Sequence, residues 1–168
     1  DCSTMNEVKA ITFDAAGTLI VPHPSVGQIY ADALLSRGLG DASPQAIEAN
    51  FRKAFARLKD QEFDCSITPQ IFWKRLVTAS LSGFCPKEEL DAVFEDLWKH
   101  FGRGKAWRLL NNVASTLRKL QEQGLRLAVL SNNDDRLRRV LKDLNIDQFF
   151  ERIFISWELG CEKPDGAI

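Results

Sequence analysis

Apolar and polar positions follow two rhythms along the chain, and the change of rhythm divides it. Lys9 to Phe13 is a short run with a β-branched pair that stops at Asp14, with Gly17 behind it. Such a run predicts a buried strand ending in a loop. Residues 24–39 then read as helical, with Ser25 as N-cap and Gly38 and Gly40 as stops. Ser43 and Pro44 open a second helix, Pro standing at its first position, and Ile47, Phe51, Phe55 and Leu58 follow at helical spacing. Thr68 and Pro69 repeat the device ahead of Ile71, Phe72, Leu76 and Leu81. A fourth helix opens at Pro86, with Leu90, Val93, Phe94, Leu97 and Phe101 on one stripe and Glu88 and Glu89 near its dipole-favoured start. The spacing therefore predicts four consecutive helices over 24–102 with no strand between them.

After Gly104 helix and strand alternate. Val113 to Gln123 is helical, with Leu117 and Leu120 inward and Gly124 as stop. Residues 125–130 form a strand ending at Ser131; Asp134 to Asn145 is helical, with Leu137, Val140, Leu141 and Leu144 on one face; Arg152 to Ser156 is a further strand. This alternation predicts a parallel α/β sheet of Rossmann-like type. The expected organisation is an α/β core from residues 5–22 and 104–168, with an all-helical cap from 23–103 inserted after the first strand.

Composition adds limits. The 168 residues are 45% apolar and 27% charged, which excludes general disorder. Lys plus Arg is 22 against 23 for Asp plus Glu. There is no basic excess of the kind that general nucleic-acid or anionic-membrane binders carry. No apolar run approaches the ~18 residues of a membrane span, and the first ten residues lack the pattern of a signal peptide. Met5 reads as the natural start. Cys2, Cys65, Cys85 and Cys161 show no C-x-x-C spacing and are too few for a disulfide-stapled fold. Free thiols in a cytoplasmic setting are expected. His23 and His100 are too far apart in the pattern to suggest a ligand pair, and Trp73, Trp98, Trp107 and Trp157 read as packing residues.

In a parallel α/β sheet, chemistry gathers where strands end at their carboxyl edge. The first strand ends at Asp14 and Thr18, the second at Ser131 and Asn132, and Lys163 and Pro164 lie just past the third. A carboxylate can act as a nucleophile. A hydroxyl and an amide before a helix can hold an anion beside free backbone N–H groups. A lysine can neutralise both. Each alone has a plain structural explanation, as turn residue, helix cap or surface lysine. Asp134 and Asp135 are either metal ligands or first-turn acids favoured by the helix dipole.

The segments ITFDAAGTLI, LAVLSNND and EKPD resemble the first three motifs of the haloacid dehalogenase-like hydrolase superfamily, and the helical insertion resembles the cap of its subfamily I. The resemblance runs from about Glu7 to Ile168. It implies that Asp14 is a nucleophile forming an aspartyl intermediate and that Thr18 braces the loop. Ser131, with its neighbour Asn132, would bind phosphoryl oxygens, and Lys163 would order the nucleophile and the transferring group. Mg²⁺ would be held by the Asp14 carboxylate and the Ala16 backbone carbonyl. The implied substrate is a small phosphorylated or phosphonate molecule.

Two departures from the pattern matter. Phosphatases of the family carry a general acid, Asp, two residues after the nucleophile, where this chain has Ala16. General acid–base help is worth about 10²–10⁴-fold. Phosphonate-cleaving relatives share the Ala and use a cap lysine, for which Lys53, Lys59, Lys74, Lys87 and Lys99 are candidates here. The fourth motif, an acidic cluster completing the metal shell, is absent, since five residues follow Lys163 and Gly40 and Asp41 lie in the cap. The core is therefore expected to lack its C-terminal strands, leaving one edge of the first strand open. A retired member binding a ligand or partner is the alternative, and a haloacid dehalogenase a weaker one.

Overall fold

The structure, a computed structural model, describes residues 8–61 and 67–168. Met5, Cys2 and Cys65 lie outside the described residues. Among the described residues five strands and seven α-helices follow in the order β1 (Ala10–Phe13), β2 (Ile20–Pro22), α1 (Val26–Ser36), α2 (Pro44–Gln61), α3 (Pro69–Ser80), α4 (Leu90–Phe101), β3 (Trp107–Leu109), α5 (Val113–Glu122), β4 (Arg126–Ser131), α6 (Arg136–Asp143), β5 (Arg152–Ile155) and α7 (Ser156–Leu159). The chain divides into two compact units. One comprises Pro22–Arg108, and the other comprises the segments on either side of it, up to Val21 and from Leu109 to Ile168.

The α/β unit is built on a parallel sheet in the order β1-β4-β5. Its register sets Phe13 beside Val129 and Ser131 beside Ile155, so β4 and β5 end together and β1 ends two residues earlier at the same edge. Alternate residues of β4 turn inward, and Leu127 and Val129 are buried with Ile155 of β5. Leu117 of α5 and Leu137, Val140 and Leu141 of α6 are buried too, at the spacing of an amphipathic stripe. Among the described residues β1 pairs with β4 alone, and it is half exposed along its length.

The described elements from Val26 to Phe101 are helical throughout, including a 3₁₀ turn at Lys87–Glu89 where the pattern predicted the first turn of α4. Ser25 Oγ accepts from the Gln28 N–H at 3.1 Å and Thr68 Oγ1 from that of Ile71 at 3.4 Å, so both expected N-caps are made. Tyr30, Leu34, Ile47, Leu81 and Leu97 are fully buried. Tyr30 meets both Phe51 and Phe101 edge-on at 6.1 Å, and Phe101 meets Trp107 at 5.9 Å, favourable aromatic geometry in each case. Ile71, assigned to the inner stripe of α3, is instead 44% exposed. Its neighbour Phe72 packs on the cluster of Ala54, Leu58 and Leu76, and successive helical residues point about 100° apart, so Ile71 is turned off that stripe.

Gly27 explains the approach of α1 to α2. A Cβ there would lie 2.1 Å from the Pro44 carbonyl oxygen and 2.9 Å from Glu48 Cβ. The Gly27 N–H, otherwise unsatisfied in the first turn, donates to Glu48 Oε2 at 2.7 Å. That carboxylate also sits favourably at the positive end of the helix dipole. Gly27→Ala should therefore destabilise the protein by about 2 kcal/mol or more despite the better helix propensity of Ala, because backbone must move. Chemical denaturation checks this; an unchanged midpoint would contradict it.

The two short strands β2 and β3 pair with each other, and neither was expected. At three residues each they are too short to show a period. The four-residue α7 escaped for the same reason.

Candidate active site

Asp14 follows β1 directly, and the loop behind it is wound around one carbonyl. The N–H groups of Thr18, Leu19 and Ile20 all point to the Ala15 oxygen, at 3.2, 2.8 and 3.1 Å. Gly17 takes φ +85°, a left-handed conformation that favours glycine, and its N–H reaches the Ile20 carbonyl at 2.8 Å. Ala15 is fully buried while Asp14, Ala16 and Thr18 are exposed. Thr18 joins this turn through its backbone N–H.

Lys163 is brought to Asp14 from 149 residues away. Its Nζ donates to Asp14 Oδ1 at 3.0 Å and to the Leu130 carbonyl at 2.8 Å. An ammonium has three protons, so one remains for an anion. The side chains are 34% and 43% exposed, so as an ion pair the contact contributes about 1 kcal/mol at most. Its importance is geometric: it fixes one carboxylate oxygen and leaves Oδ2 available.

Ser131 ends β4, is 1% exposed, and lies one residue beyond the Leu130 carbonyl that holds Lys163. Asn132 also meets the lysine: its Oδ1 accepts the Lys163 N–H and its Nδ2 donates to the Lys163 carbonyl, both at 2.9 Å. The Asn133 N–H donates to Ser156 Oγ at 3.1 Å, and the Trp157 N–H donates to the Asn133 carbonyl at 3.3 Å. Asp14, Ser131, Asn132 and Lys163 thus gather at the carboxyl ends of β1 and β4.

The expected open helix start behind Ser131 is not there. α6 begins five positions later, at Arg136, and Asp134 Oδ1 accepts the Arg136 N–H at 3.1 Å. Asp134 is 2% exposed and also takes the Arg136 guanidinium at 2.8 and 2.7 Å. A buried acid thus caps the first N–H of α6. Nearby, the Arg138 hydrogen bond holds the Glu158 carboxyl below its ordinary range. This tie between α6 and α7 is therefore intact at neutral pH and is lost as pH falls through the lowered value.

The oxygen donors implied for Mg²⁺ are the Asp14 carboxylate and the Ala16 carbonyl. Mg²⁺ requires a near-octahedral oxygen shell. Among the described residues no three His, Cys, Asp or Glu side chains cluster in a way that could hold a metal. The two donors alone do not make a complete site.

Within the helical unit, Lys74 is paired with Asp91 at 2.9 Å. Trp73, Trp98 and Trp107 pack on its core, and the Trp107 indole N–H donates to the Phe101 carbonyl at 2.9 Å. Trp157, in the other unit, is 43% exposed. His23 and His100, which the pattern kept apart, line one cavity of about 360 Å³ with Asp32, Asp96 and Lys105. The last turn of α4 returns to the segment that precedes α1, a proximity no periodicity encodes. Burial, helped by Lys105 and opposed by Asp32, pushes the His100 imidazole below its usual value. Cys85 and Cys161 are free thiols.

The aspartate and the lysine thus lie at the carboxyl edge of a parallel α/β sheet, where such folds place their ligand sites. The chain matches the haloacid dehalogenase-like hydrolase family over residues 8–168, and it belongs to that family. It is 31% identical over 169 residues to human haloacid dehalogenase-like hydrolase domain-containing protein 3, with 96% of this chain aligned and 66% of the relative's length spanned. Among solved structures, the magnesium-bound YfnB of Bacillus subtilis superposes with TM-score 0.72 at 16% identity, covering 96% of this chain and 69% of that one. A predicted phosphoglycolate phosphatase from Haemophilus somnus gives TM-score 0.63 at 23% identity, covering 95% and 68%. No helix among the described residues is long and apolar enough to cross a membrane.

Proposed function

We propose that this hydrolase acts on small phosphorylated substrates with Asp14 as nucleophile and Lys163 as the cation that orders it. The carrying observation is the 3.0 Å contact of Lys163 Nζ with Asp14 Oδ1, made by an ammonium also held on the Leu130 carbonyl. In this reading Asp14 Oδ2 attacks phosphorus while the bond to the leaving oxygen breaks. Water then cleaves the aspartyl phosphate, releasing inorganic phosphate and restoring the carboxylate. The third Lys163 proton and the Ser131 hydroxyl take up charge on the phosphoryl oxygens. The leaving oxygen takes its proton from water, because Ala16 has none to give. Residues 5–22 and 104–168 form the catalytic core in this proposal, and 23–103 the cap that selects the substrate. Mg²⁺ belongs to the reading as a cofactor whose shell draws on ligands beyond Asp14 and Ala16.

Ala16 favours a second reading, an impaired or retired member that binds a ligand or partner. The test is the full natural chain offered alkyl and aryl phosphates, a phosphonate and a 2-haloacid, with and without Mg²⁺. Phosphate release that is Mg²⁺-dependent and fastest on aryl esters is expected. Turnover of the haloacid alone would overturn the phosphatase reading, and turnover of nothing would put the second reading first.

A further inference from the structure

We infer that Asn132 is a positioning residue, acting on chemistry through Lys163 rather than by touching the ligand. This rests on the reading of Asp14 and Lys163 given above. A side-chain amide offers one acceptor oxygen and two N–H donors. Here the oxygen accepts the Lys163 N–H and one N–H goes to the Lys163 carbonyl, both at 2.9 Å. The two bonds reach both backbone polar groups of one residue, 31 positions along the chain. They close a ring that fixes where the lysine backbone stands.

That position decides where the ammonium can go. The lysine stem is flexible, with four carbons between Cα and Nζ. Its tip meets Asp14 Oδ1 and the Leu130 carbonyl simultaneously. Leu130 and Asn132 flank Ser131 at the end of β4, so this strand end grips Lys163 twice, at the ammonium through Leu130 and at the backbone through Asn132. The other hydrogen bonds of residues 164–168 are short-range turns: Asp165 N–H to the Glu162 carbonyl, Ile168 N–H to the Asp165 carbonyl and Ala167 N–H to Asp165 Oδ1. Asn132 thus supplies a pair of bonds that ties the Lys163 backbone to the end of β4. A displacement of about 1 Å at a catalytic group can cost about 10²-fold in rate.

The test combines a labelling measurement with a double-mutant cycle on the full natural chain. Competitive acetylation read by mass spectrometry reports whether the Lys163 amine leaves its two acceptors. Asn132→Ala should label severalfold faster at Lys163 than wild type, with other lysines unchanged. Turnover of 4-nitrophenyl phosphate should fall about 10- to 100-fold in Asn132→Ala, with kcat reduced more than KM is raised. In a Lys163→Ala background the same substitution should change turnover less than twofold, because residues acting through one another are non-additive. Asn132→Asp, which keeps the acceptor and loses the donor, should fall between wild type and Ala; it carries the cycle if the Ala variant misfolds. Equal losses in both backgrounds would mean that Asn132 meets the ligand directly and would overturn the inference. Unchanged Lys163 labelling, with Asp14→Asn inactive, would overturn it as well. Faster labelling with Asp14→Asn fully active would instead leave the clamp standing and sink the functional reading beneath it.

Discussion

Asp14→Asn is expected to reduce phosphoester hydrolysis by on the order of 10⁴-fold or more, the scale on which loss of a nucleophile acts. The amide is nearly isosteric and keeps an oxygen for Lys163 at the 3.0 Å site, but it cannot form the aspartyl phosphate. Asp14 is 43% exposed, so the fold should be unaffected. The substitution also removes a negative charge beside the Lys163 ammonium. Affinity for inorganic phosphate should therefore hold or improve while kcat collapses. Steady-state kinetics together with phosphate titration would show this split. Equal losses of binding and turnover would point to a collapsed site rather than a missing nucleophile.

Ala16→Asp is expected to act in the opposite direction. Ala16 is exposed in the loop that Ala15 anchors, so a carboxyl can be accommodated facing solvent. A proton donor for the leaving alkoxide should raise turnover of alkyl phosphates by about 10²–10⁴-fold. Aryl phosphates, whose leaving oxygens need less protonation, should gain much less. Matched alkyl and aryl esters measured side by side decide it. A uniform gain on both would mean that the new carboxylate serves metal or substrate binding and not proton transfer.

The placement of Asp14 and Ser131 was legible because each ends a strand that periodicity reveals. The register of β1 on β4 then brings them to the same edge of the sheet. Lys163 was legible by motif, yet nothing local foretold its bond to the Leu130 carbonyl. Asn132 shows the limit more sharply. The resemblance implies a ligand contact for it; its amide oxygen and one N–H also reach a backbone 31 residues away, a partner that no spacing rule can name. Asp134 and Asp135 read in the pattern as first-turn acids or metal ligands, whereas the helix starts at Arg136 and Asp134 lies ahead of its first turn, where it accepts the Arg136 N–H; that shift of the helix start was not visible. His23 and His100 met for topological reasons alone. The order of the four helices was readable because each opens on a Ser, Thr or Pro signal ahead of an apolar stripe.

The central claim is that Asp14 carries the phosphoryl group. The most direct measurement is rapid quenching of the full natural chain during turnover of ³²P-labelled substrate, followed by peptide mapping. The label is expected on the peptide containing Asp14, stable in acid, labile to hydroxylamine, and absent from Asp14→Asn. Turnover that proceeds with no label on that peptide, or that survives Asp14→Asn undiminished, would contradict the account.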